Sequence, residues 1–344
     1  MTEPSATSSS AADSAVTVSI VFYDGHEDLR RCLASLSRQT LLPRKVLLVD
    51  NSRDGLLADD FSSGLPIEII RDGRNLGFAG GNNRALRETA TPFFATLNAD
   101  AFPEPDWLAA MVGAARRHPE AAAFGSLQLL DENPELADGI GDQYHLSGLA
   151  WRGGHLRPVV ELDLAAGPIF SPCGAAAFFR TATLQAIGGF DEDFFCYCED
   201  LDVGFRLRLA GHECWFVPTA VVRHRGAGST GDSYSDFAVY HGHRNLAWVY
   251  LKNMPPLLFW LFLPAHLLLN LQMIKAVSIR GQGEVICKAK FDAMAAIPAI
   301  WSKRLAIHSQ GKASILKILK ALDKSLLPEP WMRSPKIIFG EKWK

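Results

Sequence analysis

Two common nucleotide-binding motifs are missing from this 344-residue sequence. It contains no GxxxxGK[ST] motif, and no GxGxxG motif follows its first apolar run. Both motifs are glycine-rich loops that hold phosphate groups against a helix N-terminus. Their absence argues against a P-loop NTPase and against a dinucleotide-dependent dehydrogenase.

The sequence also carries little net charge, because 35 Lys and Arg residues nearly balance 37 Asp and Glu residues. Nucleic-acid binding depends on an excess of basic residues, so we expect no nucleic acid as a partner. The charge is uneven, because residues 250–344 hold 15 of the basic and 5 of the acidic residues, which leaves 20 and 32 before them. A basic, apolar C-terminal part is typical of proteins that bind an anionic membrane surface.

Cysteine is sparse as well, at six residues without the spacing of a disulfide framework or a CxxC pair. A reducing cytosol is therefore the expected compartment. Residues 1–15 are rich in Ser and Ala and lack the charged and apolar regions of a secretory leader. We expect residues 1–15 to form a disordered tail.

Apolar runs alternate with amphipathic segments over the first 120 residues. The runs Val16–Phe22, Lys45–Val49, Ile67–Ile70 and Phe93–Leu97 predict buried parallel strands. Helical periodicity or turn signals mark the segments 27–39, 80–90 and 107–118 as helices. This order predicts an α/β fold with a mixed, mostly parallel, Rossmann-like sheet flanked by helices.

Polar residues follow three of the predicted strands, at Tyr23-Asp24, Asp50-Asn51 and Asn98–Asp100. Ligands of such folds bind beyond the carboxyl ends of the strands, so we expect a nucleotide there. The glycine-rich segment Gly73–Asn83 leads into a predicted helix and allows close approach of the backbone to a ligand.

The segment GGFDEDFFCYCEDLDVGFR, which begins at Gly188, interleaves carboxylates with large aromatic rings. The pattern predicts a shielded loop that enters a helix near Glu199, and Gly211 marks the end of that helix. A carboxylate at a helix N-terminus is held ionised, which makes it a candidate general base. On spacing alone, Glu199 and Asp200 serve equally well as helix caps.

This segment resembles inverting family 2 glycosyltransferases, in particular the rhamnosyltransferase-like branch of bacterial surface polysaccharide synthesis. VSIVFYDG, LLVDNSRDG, RNLGFAGGNN and ATLNAD are similar to the nucleotide-sugar half of that family. The resemblance runs from Val16 to Asn253 and implies a GT-A catalytic domain over 16–253. Its nucleotide-sugar half covers 16–120 and its acceptor half covers 121–253.

The resemblance implies that Asp200 takes the proton from the acceptor hydroxyl and that Asp50 binds the pyrimidine ring. It also implies that Asp100 and His224 bind a divalent cation, Mg²⁺ or Mn²⁺, at the donor diphosphate. Without it, Asp100 is typical of a strand-closing turn and His224 of a structural histidine. Asn98 stands where a carboxylate would add charge to the metal site. The predicted nucleotide-binding residues are Phe22, Tyr23, Asp24, Asp50, Asn75, Asn83, Asn98, Ala99 and Asp100.

Four residues are predicted to contact the acceptor or its phosphates: Glu199, Arg225, Arg244 and Trp151. Arg225 adjoins the glycine-rich segment 226–231, a candidate flexible cover over the diphosphate. Arg244 either binds a phosphate or is a solvated surface arginine. Trp151 either stacks on a sugar or is an ordinary half-buried aromatic, and the second is favoured. It lies in residues 138–154, which are predicted to form a variable loop.

Residues 254–344 are predicted to be a helical, basic and apolar membrane-associated extension. The segment 257–274 is the most apolar window, but its Pro, His, Asn and Gln residues are costly in lipid. An interfacial or re-entrant helix is favoured over a membrane span, and a span over a buried core helix. Trp260, Trp301 and Trp331 are suited to the headgroup level.

The resemblance, together with the basic and apolar C-terminal part, implies an inverting transferase that moves a sugar from a nucleoside diphosphate to a polyprenyl-diphosphate-linked saccharide. dTDP-rhamnose is the favoured donor, followed by UDP-sugars of galactose, galactofuranose or N-acetylhexosamine. The predicted location is the cytoplasmic face of a bacterial inner membrane, as a peripheral or monotopic protein and a possible homo-oligomer. The alternative, permitted by Asn98, is a binding protein with a degenerate GT-A fold.

Overall fold

A computed structural model describes residues 15–52, 64–226, 235–326 and 328. The predicted disordered tail lies outside the described residues except for its last member, Ala15. Trp331 and most of the glycine-rich segment 226–231 also lie outside them.

Ten strands of the described ranges form one mixed sheet, in the order β10-β12-β6-β11-β4-β1-β2-β3, with β5 beside β12 and β7 beside β6. The run β4-β1-β2-β3 is parallel, as predicted, whereas β11 is antiparallel to both β4 and β6. The remaining strands, β8 and β9, form a separate hairpin. The strands are β1 (Val16–Phe22), β2 (Lys45–Asp50), β3 (Ile67–Arg71), β4 (Phe93–Leu97), β5 (Ala101–Pro103), β6 (Ala121–Leu130), β7 (Ala137–Gly139), β8 (Asp142–Tyr144), β9 (Ala150–Arg152), β10 (Gly167–Ile169), β11 (Ala176–Arg180) and β12 (Glu213–His224).

Helices cover both faces of the sheet because alternate residues of each buried strand point to opposite sides. On one face, Val46 and Leu48 share a core with helices α1 and α3. On the other, Leu47 and Val49 share a core with α2, α4 and α5. The helices are α1 (His26–Ser37), α2 (Gly77–Arg87), α3 (Trp107–Arg117), α4 (Thr181–Ala186), α5 (Glu199–Leu209), α6 (Asp236–Asn253), α7 (Pro256–Ile279), α8 (Gly283–Ala295), α9 (Ile297–Ser309) and α10 (Ile315–Ala321).

Two local predictions differ from the structure. Residues 138–154 are not a loop, since they contain the ends of β7 and the hairpin of β8 and β9. These strands are only three residues long, too short to show an alternating pattern. The sequence predicts two short strands, Glu213–Val217 and Ala220–His224, on either side of Pro218. The structure has the single strand β12 instead, whose register with β6 is irregular between Val217 and Val221.

The C-terminal helices share a core with α5 and α6. Phe205 of α5 and Trp248 of α6 belong to one buried cluster with Phe259, Ile300 and Ile318. The boundary after residue 253, which the family resemblance implies, therefore falls inside a continuous packed core.

Lys252 is the centre of a buried charge cluster that joins α6 to α5 and to the segment before it. Its side chain is 1% exposed, and its ammonium lies 2.6 Å from Asp191 and 2.7 Å from Asp202. Arg206 donates to the other carboxylate oxygen of Asp202 at 2.7 Å, and Lys303 of α9 binds Asp191. Burial acts to raise the pKa of both carboxylates, but the cations outweigh it and hold each pKa below its usual value.

Replacing Lys252 by Met should destabilise the protein strongly, because it leaves buried carboxylates without their shared cation. We expect a loss of about 3–5 kcal/mol in the free energy of unfolding, measured by denaturant titration. The exposed Lys317 supplies the matched control, for which Lys317→Met should change stability by less than about 0.5 kcal/mol. Equal stabilities of the two variants would contradict the role given to Lys252.

Candidate active site

The carboxyl ends of β1, β2 and β4 meet at one edge of the sheet, as their polar sequence pattern predicts. Beside the first two strands lies a cavity of about 350 Å³ lined by Tyr23, Ser52, Gly73, Arg74 and Asn75. Phe22, at the end of β1, is buried beneath it in the core, and Asp24 turns to accept a bond from the amide of Gly25. Phe22 therefore supports the edge by packing.

Asp50 has an unsatisfied oxygen at this edge. One carboxylate oxygen accepts bonds from the Ser52 amide (2.9 Å) and hydroxyl (2.5 Å). The other, Oδ2, is buried and has no hydrogen-bond partner among the described residues, and Arg71 Nε lies 3.7 Å away. A buried carboxylate oxygen without a donor is costly, so the position is suited to a ligand N–H.

Asn51 fixes the shape of this edge, although it is not among the predicted nucleotide-binding residues. Its amide nitrogen donates to Gly77 O at 2.9 Å, and its amide oxygen accepts from Leu76 N at 3.2 Å. Asn75 also binds the Gly77 amide, at 2.8 Å. Asn51 thus attaches the glycine-rich segment to the end of β2, and Asn75 stabilises the turn within the segment.

The glycine-rich segment packs closely against residues 188–206, called the acidic segment below. Gly77 has φ +68°, and a Cβ there would lie 2.4 Å from Phe195 O. Asn83 donates to Phe190 O and Glu192 and accepts from Phe190 N, all within 2.9 Å. The structure thus places Asn83 against the acidic segment, away from the cavity at Tyr23, and its predicted contact with the nucleoside gains no support from these bonds.

Asp100 and His224 meet at the end of β4. The two residues come together because β5, directly after Asp100, pairs with the end of β12, and Ala101 faces His224. His224 Nε2 lies 3.4 Å from Asp100 Oδ1 and 3.4 Å from the side-chain nitrogen of Asn98, Nδ2. Ala99, between Asn98 and Asp100, is buried. Asp100 and His224, which are predicted to act as a pair, are therefore in contact distance of each other.

This pair fits a divalent cation that is completed by ligand oxygens. Among the described residues, no group of three His, Cys, Asp or Glu side chains is placed to hold a metal by itself. One carboxylate and one imidazole suit Mg²⁺ or Mn²⁺ when phosphate oxygens and water fill the other positions. Burial acts to lower the pKa of His224, but its bonds to Asp100 and Asp138 outweigh burial and raise it to about 9.

Asp200 and the end of β4, just before Asp100, both bind the short segment that precedes β11. The Gly174 amide donates to Asp200 Oδ2 at 2.8 Å, while Thr96 of β4 donates to Gly174 O at 2.7 Å. The backbone amide of Asn98, two residues before Asp100, donates to Ala175 O at 2.8 Å. The structure thereby brings the two aspartates, 100 residues apart, to one region of the sheet edge.

The backbone before Asp200 is held in an uncommon conformation. Phe195, Tyr197 and Cys198 have φ of 63°, 70° and 65°, a region that residues with a Cβ seldom occupy. Asn245 of α6, which is fully buried, donates to the carbonyls of Phe194, Cys196 and Tyr197 within 2.9 Å. Asn245, too, was missed, since no local pattern marks an asparagine inside a helix as a clamp for a distant turn.

The four predicted acceptor residues are dispersed. Glu199 is buried, and burial together with Asp200 raises its pKa well above the usual value; its Oε2 has no partner among the described residues. Arg225 binds Asp28 at 2.9 Å, and Arg244 donates to Phe194 O and stacks 4.3 Å from Trp248. Trp151 on β9 is half-buried and lines a second cavity of about 310 Å³. The structure gives Arg225 and Arg244 internal partners.

Comparison with known families identifies the fold and the chemistry. The profile of the "Glycosyl transferase family 2" matches residues 17–137, and that of the "Glycosyl transferase family group 2" matches residues 93–279, more than half of the chain. The chain belongs to the family 2 glycosyltransferases.

Curated relatives of this glycosyltransferase agree with that assignment. An N-acetylglucosaminyl-diphospho-decaprenol L-rhamnosyltransferase from Mycobacterium tuberculosis is 30% identical over 245 residues, which cover 64% of this chain and 80% of the relative. The O-antigen biosynthesis protein RfbC from Myxococcus xanthus is 26% identical over 63% of this chain and 18% of its own length.

Solved structures confirm the predicted GT-A fold of this glycosyltransferase. A mannosyltransferase from Pyrobaculum calidifontis, in complex with GDP-Man and Mn²⁺, has a TM-score of 0.51 at 18% identity, over 93% of this chain and 86% of that chain. GalNAc-T7, with UDP, GalNAc and Mn²⁺, has a TM-score of 0.56 at 17% identity, over 69% and 47% of the two chains. The protein is an enzyme of the GT-A type.

Proposed function

We propose that this glycosyltransferase transfers L-rhamnose from dTDP-rhamnose to a polyprenyl-diphosphate-linked saccharide, with inversion at the anomeric carbon. The observation that carries the proposal is the shared segment before β11, which binds Asp200 through the Gly174 amide and binds the backbone amide of Asn98, two residues before Asp100. These bonds support a cation site and a base at one edge of the sheet. The rhamnosyl donor and the lipid-linked acceptor are supported by the name of the 30% identical relative. A bacterial inner membrane, on its cytoplasmic face, is the corresponding location.

The nucleotide is proposed to lie at the ends of β1 and β2. Asp50 Oδ2, buried and without a donor among the described residues, would accept the ring N–H that thymine and uracil share. Asn98 would bind a ribose hydroxyl, and Asp100 and His224 would hold a divalent cation. When bound, that cation supplies positive charge for the leaving diphosphate.

Asp200 is proposed to accept the proton from the acceptor hydroxyl. The hydroxyl oxygen bonds to the anomeric carbon as the bond from that carbon to the diphosphate oxygen breaks, and the nucleoside diphosphate leaves. The amides of Gly174 and Leu201 each bind one oxygen of Asp200, which fixes the carboxylate in place. A carboxylate oxygen that accepts one hydrogen bond retains a second lone pair, which can take the proton of a hydroxyl.

The reaction is tested with purified full-length protein, a panel of dTDP- and UDP-sugars and a polyprenyl-diphosphate-linked N-acetylglucosamine. We expect transfer from dTDP-rhamnose, detected by mass spectrometry, loss of transfer in EDTA and its return with Mg²⁺ or Mn²⁺. Transfer only from a UDP-sugar would correct the donor. Binding of nucleotide without transfer from any donor would favour the alternative of a binding protein.

Asp200→Asn should lower kcat by about 10²- to 10⁴-fold, because the amide cannot accept the proton. The affinity for dTDP, measured calorimetrically, should stay unchanged, since Asp200 is placed on the acceptor side. Asp193→Asn is the control, as Asp193 is an exposed carboxylate of the same acidic segment. Full activity of the Asp200 variant would exclude this residue as the base.

We further propose that α7 lies flat in the membrane surface. By length and composition its 24 residues suffice to cross a membrane, and only 22% of its most apolar window is buried in the protein. One face packs on the body through residues that include Leu258, His266 and Leu269. The opposite face exposes Leu257, Trp260, Leu261, Leu267, Leu268 and Leu271, at 55–65% each.

The middle of α7 is tied to the catalytic half. His266 Nδ1 lies 2.8 Å from Ser147 O, and its ring stacks 3.9 Å from that of Tyr250 on α6. The exposed apolar stripe from Leu257 to Leu271 is about 21 Å long at 1.5 Å per residue, shorter than the ~30 Å hydrocarbon core. A spanning α7 would pull Ser147 and Tyr250 into lipid, so the flat position fits these contacts. The exposed Lys275 that follows the stripe favours anionic headgroups.

The exposed Cys287 on α8 reports the side of the membrane reached after α7. A flat α7 leaves Cys287 on the same side of the membrane as residues 16–253. A membrane-impermeant maleimide should therefore label, in inverted vesicles, both Cys287 and a cysteine introduced in an N-terminal tag. Cys287→Ser should remove the labelling at Cys287 and leave that of the tag. Labelling of Cys287 only in right-side-out vesicles would show that α7 spans the membrane.

A further inference from the structure

A carboxylate outside the predicted site contacts the histidine of the Asp100–His224 pair. Asp138 Oδ2 lies 2.8 Å from His224 Nδ1, and both side chains are buried, at 5% and 7% exposure. The other ring nitrogen, Nε2, faces Asp100 Oδ1. The imidazole is thus held at one nitrogen by Asp138 and directs the other toward the position assigned to the cation.

Sheet pairing explains how Asp138 reaches His224. Asp138 lies in β7, which pairs with β6 where the register shifts between Gln128 and Leu129. On its other side, β6 is parallel to β12, and Leu130 pairs with His224. The irregular register and the short strand give no repeat that sequence analysis can detect.

Two further side chains hold Asp138 in place beside His224. Arg152 of β9 donates to Asp138 Oδ2 at 2.6 Å, and His155 Nδ1 lies 3.5 Å from Oδ1. Gly139 makes room for this contact, because a Cβ there would lie 2.4 Å from Arg152 Cγ and Cδ.

We propose that Asp138 is a positioning residue that holds His224 with its proton on Nδ1 and its Nε2 lone pair toward a divalent cation. A carboxylate behind a metal-binding histidine fixes the ring and raises its strength as a ligand. The inference rests on the proposed binding of a cation by Asp100 and His224. It assigns the strands β7 and β9, on the acceptor half, a part in binding the donor.

The test measures Mn²⁺ binding, by the electron paramagnetic resonance of free Mn²⁺, in the presence of saturating dTDP or UDP. Asp138→Asn keeps the size of the side chain but removes the charge, and we expect a 10- to 100-fold loss of Mn²⁺ affinity. The affinity for the nucleotide without metal should stay within about twofold of wild type, since Asp138 lies behind His224. Asp131→Asn is the matched control and should leave Mn²⁺ affinity unchanged, because Asp131 pairs with Arg31 instead of the imidazole.

Thermal unfolding establishes that each variant is folded, and Asp138→Glu, which keeps the charge, serves if the asparagine variant does not fold. The glutamate displaces the carboxylate by one methylene group, so a smaller loss of Mn²⁺ affinity, of several-fold, is expected. Wild-type Mn²⁺ affinity in a folded Asp138 variant overturns the inference alone. Absence of Mn²⁺ binding by the wild-type protein overturns the proposed cation site and this inference with it.

Discussion

The antiparallel pairing of β11 with β4 is the contact on which the site depends. It brings the segment Pro172–Ala175 against the end of β4, where Thr96 and the Asn98 amide bind its carbonyls. The same segment offers the Gly174 amide to Asp200. Residues of the two halves of the chain are therefore positioned by hydrogen bonds to backbone groups of this one segment, and not by long side chains.

A second layer of contacts holds the acidic segment in shape. Asn245 satisfies three carbonyls of a turn with positive φ, and the ion pairs of Lys252 and Lys303 hold Asp191 at its start. Strain in the backbone persists only where surrounding structure supports it. In this enzyme that support comes from α6 and α9, which are distant in sequence from Asp200, the carboxylate that follows the turn.

Much of the parallel part of the fold follows from local pattern. The bounds of β1 and β4 match the apolar runs residue for residue, because these strands are buried on both faces. The polar residues at their ends also follow from the α/β order. Asp50 and the Asp100–His224 pair lie where the family resemblance implies, although their roles stay predictions.

What pattern could not predict depends on pairings between distant segments. Asn83 looks like a ligand residue in its glycine-rich context, yet its amide is used on Phe190 and Glu192, more than 100 residues later. Asp138 lies in a strand of three residues, and its partner His224 is 86 positions away. Such roles become visible only when the register of the sheet is known.

The shared core of α6, α7, α9 and α10 has a consequence for shortening the chain. Truncation after Asn253 would expose the faces of Phe205 and Trp248 that now pack on Phe259, Ile300 and Ile318. It would also remove Lys303 from Asp191 and Arg304 from the Leu251 carbonyl. The C-terminal helices are thus required for the stability of residues 16–253. A soluble form of the enzyme has to be obtained by replacing the outward-facing leucines of α7 while keeping the helices.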